Sequence, residues 1–279
     1  MIYVITHKAF DDSIVPQEGY RILHVGENES CKSSYLRDDL GNNISFKNTS
    51  WCELTGLYWI WKNGLEALDE NVGLVHYRRY FTTSIENESY KVLGRLPQPL
   101  SYHAIRNMKI DSHSILLPKS EKMIYSIEEA YAINHRIQDL RTTRNAIRSI
   151  FPQYAQSFDS VMRQKFFYGY NMMVCQRRML NAYCEWLFPI LEYVEQHTNL
   201  NEIEDSYQKR IFGFISERLI QVWVYHQQFQ VLNAPVFNVE KKGDDWIRSV
   251  VKRGKAYQIK RKRVTQYHLN DQNNKNYHV

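Results

Sequence analysis

The sequence predicts an α/β fold with a mostly parallel central sheet. The first observation is a β-branched and aromatic run at the start of the chain, Ile2–Thr6, which is typical of a strand. The second is an apolar pattern with helical spacing over 54–68, and the third is the short buried-strand run over 72–76. Strand, helix and strand in this order favour parallel strands joined by a crossover helix.

In the first half of the chain, a second strand is predicted over 20–25, followed by a polar loop over 26–48. A loop of that length is usually functional or mobile. Ser50 and Glu53 have the spacing of a capping box, in which the two side chains satisfy orphan backbone donors at a helix start. We therefore expect that box to open the helix over 54–68.

In the second half, Ser126 and Glu129 repeat the capping-box spacing and predict another helix start. Strands are predicted over 115–118, 166–174 and 231–239, and helices over 139–162, 179–196 and 207–225. The sequence has no internal repeat and no low-complexity segment.

The composition is that of a globular protein, with 279 residues, 43% hydrophobic and 24% charged. The four cysteines form no C-x-x-C pair, so a zinc module or a disulfide framework is not expected. No apolar window approaches the ~18 residues of a membrane span, and the N-terminus lacks the features of a signal peptide. We expect a cytoplasmic protein whose membrane contact, if any, is peripheral.

The net charge of +6 is not evenly distributed. Residues 241–279 hold 11 Lys and Arg against 3 Asp and Glu, so this tail carries +8 and the rest carries −2. Trp246 and aliphatic residues lie among the basic ones, a pattern that suits an anionic membrane surface contacted through residues 241–263. A solvated disordered tail and a nucleic-acid arm are the alternatives, although no nucleic-acid module accompanies the tail.

The sharpest local feature is the segment 72–81, VGLVHYRRYF, in which a buried strand brings His76, Arg78 and Arg79 to the carboxyl edge of the sheet. Open α/β sheets bind ligands at that edge. Guanidiniums are costly to bury without anions, and their donor forks match phosphate oxygens, so a diphosphate is the expected ligand. Alternatively, Arg78 and Arg79 point to opposite sides of the chain and form separate structural ion pairs.

Acid–base chemistry has two candidates, Asp205 and Glu217. On a helix, Glu217 shares a face with Gly213, Ile220 and Val224, so its carboxylate should have a raised pKa or a basic partner. Either property suits a general base, and a structural pair with an arginine explains the pattern almost as well. The polar residues of the 26–48 loop suit hydrogen bonds to a ribose, a base or a sugar, but they are also ordinary turn residues.

Several motifs in order resemble the bacterial family known as domain of unknown function 4422. They cover roughly residues 1–240 and are Thr6–Lys8, Leu36–Asp39, Asn43–Asn48, Cys52–Thr55, Tyr58–Asn63, Gly73–Phe81, Tyr170–Met173, Tyr183–Pro189 and Arg210–Leu219. The sequence departs from the family pattern at Phe46, where glutamate is expected, and at Met173, where phenylalanine is expected.

The resemblance implies a glycosyltransferase of capsule or O-antigen assembly with a GT-A-like, Rossmann-like domain over 1–240. It implies hexose transfer, most often of galactose, from a UDP-sugar to a lipid-linked oligosaccharide at the inner face of the plasma membrane. Inversion at the anomeric carbon is the favoured outcome. The other class of function is a non-catalytic polysaccharide-assembly or nucleic-acid-binding protein that uses the basic tail.

The expected site follows from the motifs and the resemblance together. Donor contacts are expected from Thr6, His7, Asp38, Asp39, Asn43, Ser45, Asn48, His76, Tyr77, Arg78 and Arg79. Acceptor contacts are expected from Tyr170, Asn171 and Met172, with plain core packing as the alternative for these positions. The base is Glu217 or Asp205.

No metal ligand is assigned, because His76-Tyr-Arg-Arg79 stands where GT-A enzymes commonly place a metal-binding Asp-x-Asp. We expect the arginines to stabilise the departing UDP in place of a metal. Mn²⁺ or Mg²⁺ stays open as an alternative, with Asp38 or Asp39 as its ligand candidates.

Overall fold

The computed structural model describes residues 1–27, 31–64, 67, 70–83 and 97–240. The predicted basic tail therefore lies outside the described residues. Within them, the strands are β1 (Ile2–Thr6), β2 (Tyr20–His24), β3 (Leu36–Arg37), β4 (Asn71–His76), β5 (Arg79–Phe81), β6 (Ser114–Pro118), β7 (Glu121–Lys122), β8 (Phe166–Phe167), β9 (Met173–Gln176), β10 (Gln230–Ala234) and β11 (Val236–Asn238).

The main sheet confirms the predicted mostly parallel α/β architecture. Its strand order is β10-β6-β9-β4-β1-β2-β3, with β5 and β11 added at the end of β4. β1 pairs in parallel with β2 and β4, β2 with β3, and β6 with β10. β9 is antiparallel to both of its neighbours, β4 and β6. The carboxyl ends of β1 and β4 consequently lie side by side at one edge.

The helices that surround the sheet are α1 (Asn48–Trp51), α2 (Leu54–Asn63), α3 (Tyr102–Asn107), α4 (Ile127–Asn134), α5 (Ile137–Ile150), α6 (Ala155–Met162), α7 (Arg177–Gln196) and α8 (Ile211–Gln227). Among the described residues, none of the helices has the length and apolar character needed to cross a membrane.

The core lies on both faces of β1, because successive side chains of a strand point to opposite faces. Tyr3 and Ile5 pack into the larger apolar cluster with α2 and α5 to α8. Ile2 and Val4 pack into a smaller cluster that includes β5 and β11. A strand buried on both faces needs apolar side chains on both, which explains the continuous β-branched and aromatic run at the start of the chain.

Gly56 lets α2 lie close to the sheet. A Cβ at this position would come within 2.9 Å of both Ile5 Cδ1 and Val25 Cγ1, closer than side chains tolerate. The close approach holds the first turn of α2, and with it Glu53, beside the ends of β1 and β2.

The two predicted capping boxes have different outcomes. The box at Ser126 is confirmed: the Glu129 backbone N–H donates to Ser126 Oγ at 3.2 Å, and the Ser126 N–H donates to Glu129 Oε2 at 2.8 Å. The box at Ser50 is wrong, because Ser50 lies inside α1 and Cys52 adopts a left-handed φ of 52° that separates α1 from α2.

The predicted strand over 166–174 is wrong as a continuous element. The chain turns at Tyr170 and Asn171, whose φ angles are 79° and 47°, and this turn separates β8 from β9. The predicted strand over 231–239 divides at Pro235 into β10 and β11, and the helix predicted from 207 begins at Ile211 after a 3-10 turn. The predicted 26–48 loop contains the short strand β3.

Candidate active site

A tight hairpin at the carboxyl edge of the sheet presents the arginine motif. β4 ends at His76, the chain turns through Tyr77 and Arg78, and β5 begins at Arg79, which pairs with His76. β1 ends beside it, with Ile5 in register with His76. The rings of His7 and Tyr77, which follow the two strands, meet edge to face at 5.6 Å between centroids.

Four basic side chains surround this hairpin. Lys8 Nζ lies 5.1 Å and Arg78 Cζ 5.6 Å from the centre of the Tyr77 ring. Burial lowers the pKa of His7, and the neighbouring charges of Lys8, Arg210 and Arg78 lower it further. His7 is therefore neutral mainly because of its burial, and the three neighbouring cations act in the same direction.

Arg79 is the fourth basic side chain at the hairpin, beside Lys8, Arg78 and Arg210. Its Cζ lies 4.7 Å from the centre of the Tyr170 ring. Within the described ranges no carboxylate pairs with Arg79, whereas Arg78 and Lys8 contact Glu240 Oε2 and Oε1 at 3.1 and 3.6 Å. Among the residues that the structure describes, the structural ion pair of the alternative interpretation is thus present for Arg78 and not for Arg79.

The turn at Tyr170 and Asn171 forms the opposite side of the site. The Asn171 amide donates to Glu53 Oε1 at 2.6 Å and to the Gly213 carbonyl at 3.1 Å, and its Oδ1 accepts from Ser216 Oγ at 3.0 Å. These contacts tie the turn to the starts of α2 and α8. They also stabilise left-handed backbone, which asparagine tolerates better than most residues.

His76 connects the hairpin to this turn. Its Nε2–H donates to the carbonyl oxygen of Tyr170. Burial lowers the pKa of His76; the carboxylate of Glu53 opposes that shift, and the guanidiniums of Arg79 and Arg78 add to it. His76 is therefore a neutral donor that holds the turn against β4.

Glu217 belongs to the same cluster. Its Oε1 accepts from the Tyr170 backbone N–H at 3.1 Å, and its Oε2 accepts from Arg218 Nη1 at 2.9 Å. Burial raises the pKa of Glu217 and Glu53 adds to that rise, while Arg218 opposes it. The expected raised pKa and the expected basic partner are both present.

The polar residues of the 26–48 loop lie at the same edge but bond largely to one another. Asp38 is 1% exposed and its Oδ1 accepts from the Gly26 N–H at 2.9 Å and from Ser45 Oγ at 2.7 Å. Asp39 forms an ion pair with Arg37. These contacts shape the loop, whereas Asp38 Oδ2 is buried and accepts no hydrogen bond from any residue that the structure describes.

The remaining loop residues have similar internal roles. The Asn43 amide donates to the Gly41 carbonyl at 2.9 Å, and the Asn48 amide donates to the Cys52 carbonyl at 2.8 Å.

Thr6 and Tyr77 are expected donor contacts outside the loop. Thr6 is buried, and its hydroxyl donates to the Lys8 carbonyl at 2.6 Å. Tyr77 is 6% exposed and presents its ring to the surrounding cations.

Two expected site residues lie away from this cluster. Met172 is 1% exposed and packs in the smaller core cluster, which is the plain-core alternative for that position. Asp205 is exposed, and its Oδ1 accepts from the Tyr207 N–H at 2.8 Å in a local turn. Neither side chain contacts the Glu53, Asn171 and Glu217 group within the described part of the chain.

The residues expected from the sequence do not include three that lie in this cluster, namely Lys8, Glu53 and Arg210. Arg210 Nε donates to Cys52 Sγ at 3.1 Å, directly beside Glu53. Each of the three stands in a motif that carries the family resemblance, so that signal was available. The local pattern, however, assigned Glu53 to a helix cap.

Comparisons with known proteins agree with this geometry. No curated protein sequence matches the chain. Among solved structures, the apo structure of the WbbM bifunctional glycosyltransferase matches with a TM-score of 0.71 and 28% identity, covering 86% of this chain. This chain covers 45% of that protein, so it spans less than half of its length. The likeness confirms the GT-A-like fold.

The sequence profile of DUF4422, a domain of unknown function, matches residues 1–228. That span includes the hairpin of β4 and β5, the turn at Tyr170 and Asn171, and the carboxylates of Glu53 and Glu217. It confirms the resemblance carried by the motifs. The chain therefore belongs to the DUF4422 family.

Proposed function

We propose that this protein is a glycosyltransferase that moves a hexose from a UDP-sugar to a lipid-linked oligosaccharide in capsule or O-antigen assembly. Galactose, as pyranose or furanose, is the sugar that the family resemblance favours. The observation that carries the proposal is the group of cations Lys8, Arg78, Arg79 and Arg210 at the carboxyl edge of β1 and β4, where α/β sheets bind ligands. The likeness to a bifunctional glycosyltransferase supports it.

The donor diphosphate would bind the hairpin that carries Arg78 and Arg79. Guanidiniums bind phosphate oxygens bidentately, and Arg79 lies among the described residues without a carboxylate partner. As the bond between sugar and phosphate breaks, negative charge develops on UDP. Cations already in place stabilise that charge without reorganising.

The loop over 26–48 would flank the nucleoside or sugar of the donor. It borders the end of β1 through β2 and β3, and Asp39 and Asn43 are among its half-buried polar residues. Asp38, Ser45 and Asn48 keep the loop in shape by their internal hydrogen bonds. His7 and Tyr77 would then contact the donor with their rings.

The acceptor would approach from the side of Tyr170 and Asn171. An inverting transfer needs one carboxylate that removes the proton of the attacking hydroxyl. Glu217 is the candidate that sequence reasoning supplies, and its hydrogen bond from the Tyr170 backbone N–H supports a place in the site. The basic tail would hold the protein at the inner face of the plasma membrane, where a lipid-linked acceptor is found.

Sugar transfer by the full-length protein tests the proposal. The protein is incubated with a panel of UDP-sugars and a membrane lipid extract, and products are identified by mass spectrometry while UDP release is followed. We expect one UDP-hexose to yield a lipid-linked product with one added hexose. Salt-sensitive RNA binding without turnover of any donor would favour the nucleic-acid alternative instead.

A further inference from the structure

Glu53 lies at the centre of the charged groups of the candidate site. Its carboxylate accepts from the Asn171 amide at 2.6 Å, and it acts electrostatically on His76, Cys52, Arg210 and Glu217. It is half-buried, so solvent or a substrate can reach it. A central, half-buried carboxylate among cationic side chains is a candidate for acid–base chemistry.

The hydrogen bonds of Glu53 and Glu217 differ in a way that matters for catalysis. Both oxygens of Glu217 are engaged, one by the Tyr170 backbone N–H and the other by Arg218. Glu53 has one oxygen engaged, by Asn171, and its second oxygen makes no hydrogen bond to any residue that the structure describes. A general base needs an oxygen that is open to the hydroxyl proton it removes.

Glu53 is also held in position by rigid elements. It stands at the start of α2, which Gly56 seats against Ile5 and Val25. Asn171, which fixes one of its oxygens, is itself fixed by Gly213 and Ser216 of α8. Preorganisation of this kind is what a catalytic group requires.

The placement relative to the donor cations is suitable. Arg79 stacks on the Tyr170 ring, and the next residue, Asn171, binds Glu53. The proposed diphosphate contact and the carboxylate are thus joined through two consecutive residues of one turn. A sugar bound between them would have its leaving group on the side of Arg79.

We infer that Glu53 is the catalytic base of the transfer and that Glu217 is a positioning residue that holds the backbone of Tyr170. The inference rests on the proposed glycosyltransferase function. The acceptor hydroxyl oxygen forms a bond to the anomeric carbon, and its proton passes to the open oxygen of Glu53. The bond between the anomeric carbon and the phosphate oxygen breaks, and UDP leaves with both electrons.

The variant Glu53→Gln tests this assignment, because the Gln oxygen can still accept from Asn171 while the basic oxygen is lost. We expect kcat to fall by about 10²–10⁴-fold, the usual contribution of a general base, with UDP affinity and melting temperature unchanged. Glu53→Asp, which keeps a carboxylate one methylene further back, should recover part of the activity.

Two further variants separate catalysis from structure. Glu217→Gln should lower kcat less than Glu53→Gln and should lower the melting temperature, because it weakens the contacts to Tyr170 and Arg218. Glu192→Gln, at an exposed position of α7, should match the wild type.

The outcomes are distinguishable. If the wild type transfers sugar and Glu53→Gln keeps the wild-type kcat, the assignment of the base is wrong. A larger loss in Glu217→Gln would make that residue the base. If the wild type transfers no sugar from any donor, the proposed function itself fails. Should Glu53→Gln not fold, Glu53→Asp decides: a full wild-type kcat contradicts the assignment, and a reduced kcat with unchanged UDP affinity supports it.

Discussion

Asp139 is a buried carboxylate whose negative charge is only partly compensated by neighbouring groups. It lies in the first turn of α5, is 1% exposed, and has Arg136 Nε 3.8 Å away. Its Oδ2 has no hydrogen-bond partner within the described residues. Burial raises the pKa of Asp139 from 3.8 to about 6, against the opposing effect of Arg136.

This raised pKa predicts a pH-dependent stability. The folded state binds the Asp139 proton more tightly than the unfolded state, so its contribution to stability is greatest below about pH 4, falls between about pH 4 and 6, and is level above that range. Asp139→Asn removes the buried charge and should raise the free energy of unfolding at pH 7 by on the order of 1–3 kcal/mol.

Thermal unfolding of wild type and Asp139→Asn from pH 4 to pH 8 measures the effect. The difference in melting temperature between the two should grow as pH rises through this window and then stay constant. Glu192→Gln serves as the surface control. A difference that shrinks with rising pH would show that Asp139 is stabilised as a carboxylate in the folded protein.

Glu53 and Glu129 show how far a local pattern predicts the role of a residue. Each follows a serine by three positions, and the sequence predicts a capping box for both. Glu129 completes its box, with its Oε2 accepting from the Ser126 N–H at 2.8 Å. Glu53 is bonded by Asn171, 118 positions away in the chain, and that contact cannot be predicted from local spacing.

At the scale of elements, the position of the arginines after β4 at the sheet edge was predictable, whereas the hairpin to β5 and the Tyr170–Asn171 turn were not. The apolar run of β4 and the arginines after it are contiguous in sequence, so the pattern places them at the sheet edge. The turn interrupts a run of strand-forming residues, and it is stabilised by His76, Glu53 and α8. Tertiary hydrogen bonds outweigh strand propensity there.

Strand β11 brings a carboxylate to the cations of the hairpin. It pairs with β5, with Asn238 opposite Arg79, and the Val239 N–H donates to the Arg78 carbonyl at 3.0 Å. Glu240 follows and contacts both Arg78 and Lys8. A carboxylate so placed occupies two of the cations that the proposed diphosphate would use.

The variant Glu240→Gln is therefore expected to bind UDP more tightly. Its two ion pairs are exposed and individually weak, so the gain should be modest, about two- to five-fold in Kd. Calorimetric titration of wild type and variant measures it, and added salt should reduce the difference because it screens the pairs. Weaker UDP binding by Glu240→Gln would mean that Glu240 supports the donor site instead of competing for it.

At the scale of the whole molecule, charge is divided between two parts of the chain. Residues 1–240 carry a net charge of −2, and residues 241–279 carry +8. The positive field at the hairpin is thus a local arrangement within a slightly acidic domain. Composition alone could suggest an anionic partner, but it could not separate a donor diphosphate at the sheet edge from a membrane surface at the tail.

Replacing Lys260, Arg261, Lys262 and Arg263 by glutamine in the full-length chain tests the membrane role of the tail. Basic residues near an anionic surface contribute about 1 kcal/mol each, so binding to vesicles that contain anionic lipid should fall by about 100-fold or more. Transfer to a water-soluble acceptor should be unchanged. Sedimentation with anionic and with neutral vesicles gives the measurement, and unchanged binding to anionic vesicles would rule out these residues as the contact.

The central claim is that the hairpin of β4 and β5 holds the diphosphate of a nucleotide sugar. Titration of UDP into the wild type and into Arg79→Ala tests it most directly, with Arg148→Ala on the exposed side of α5 as the matched control. We expect UDP to bind the wild type and Arg148→Ala alike, and Arg79→Ala to bind at least ~10-fold more weakly, since a charge-assisted hydrogen bond contributes about 1.5–3 kcal/mol. Equal UDP affinity in the wild type and Arg79→Ala would contradict the account.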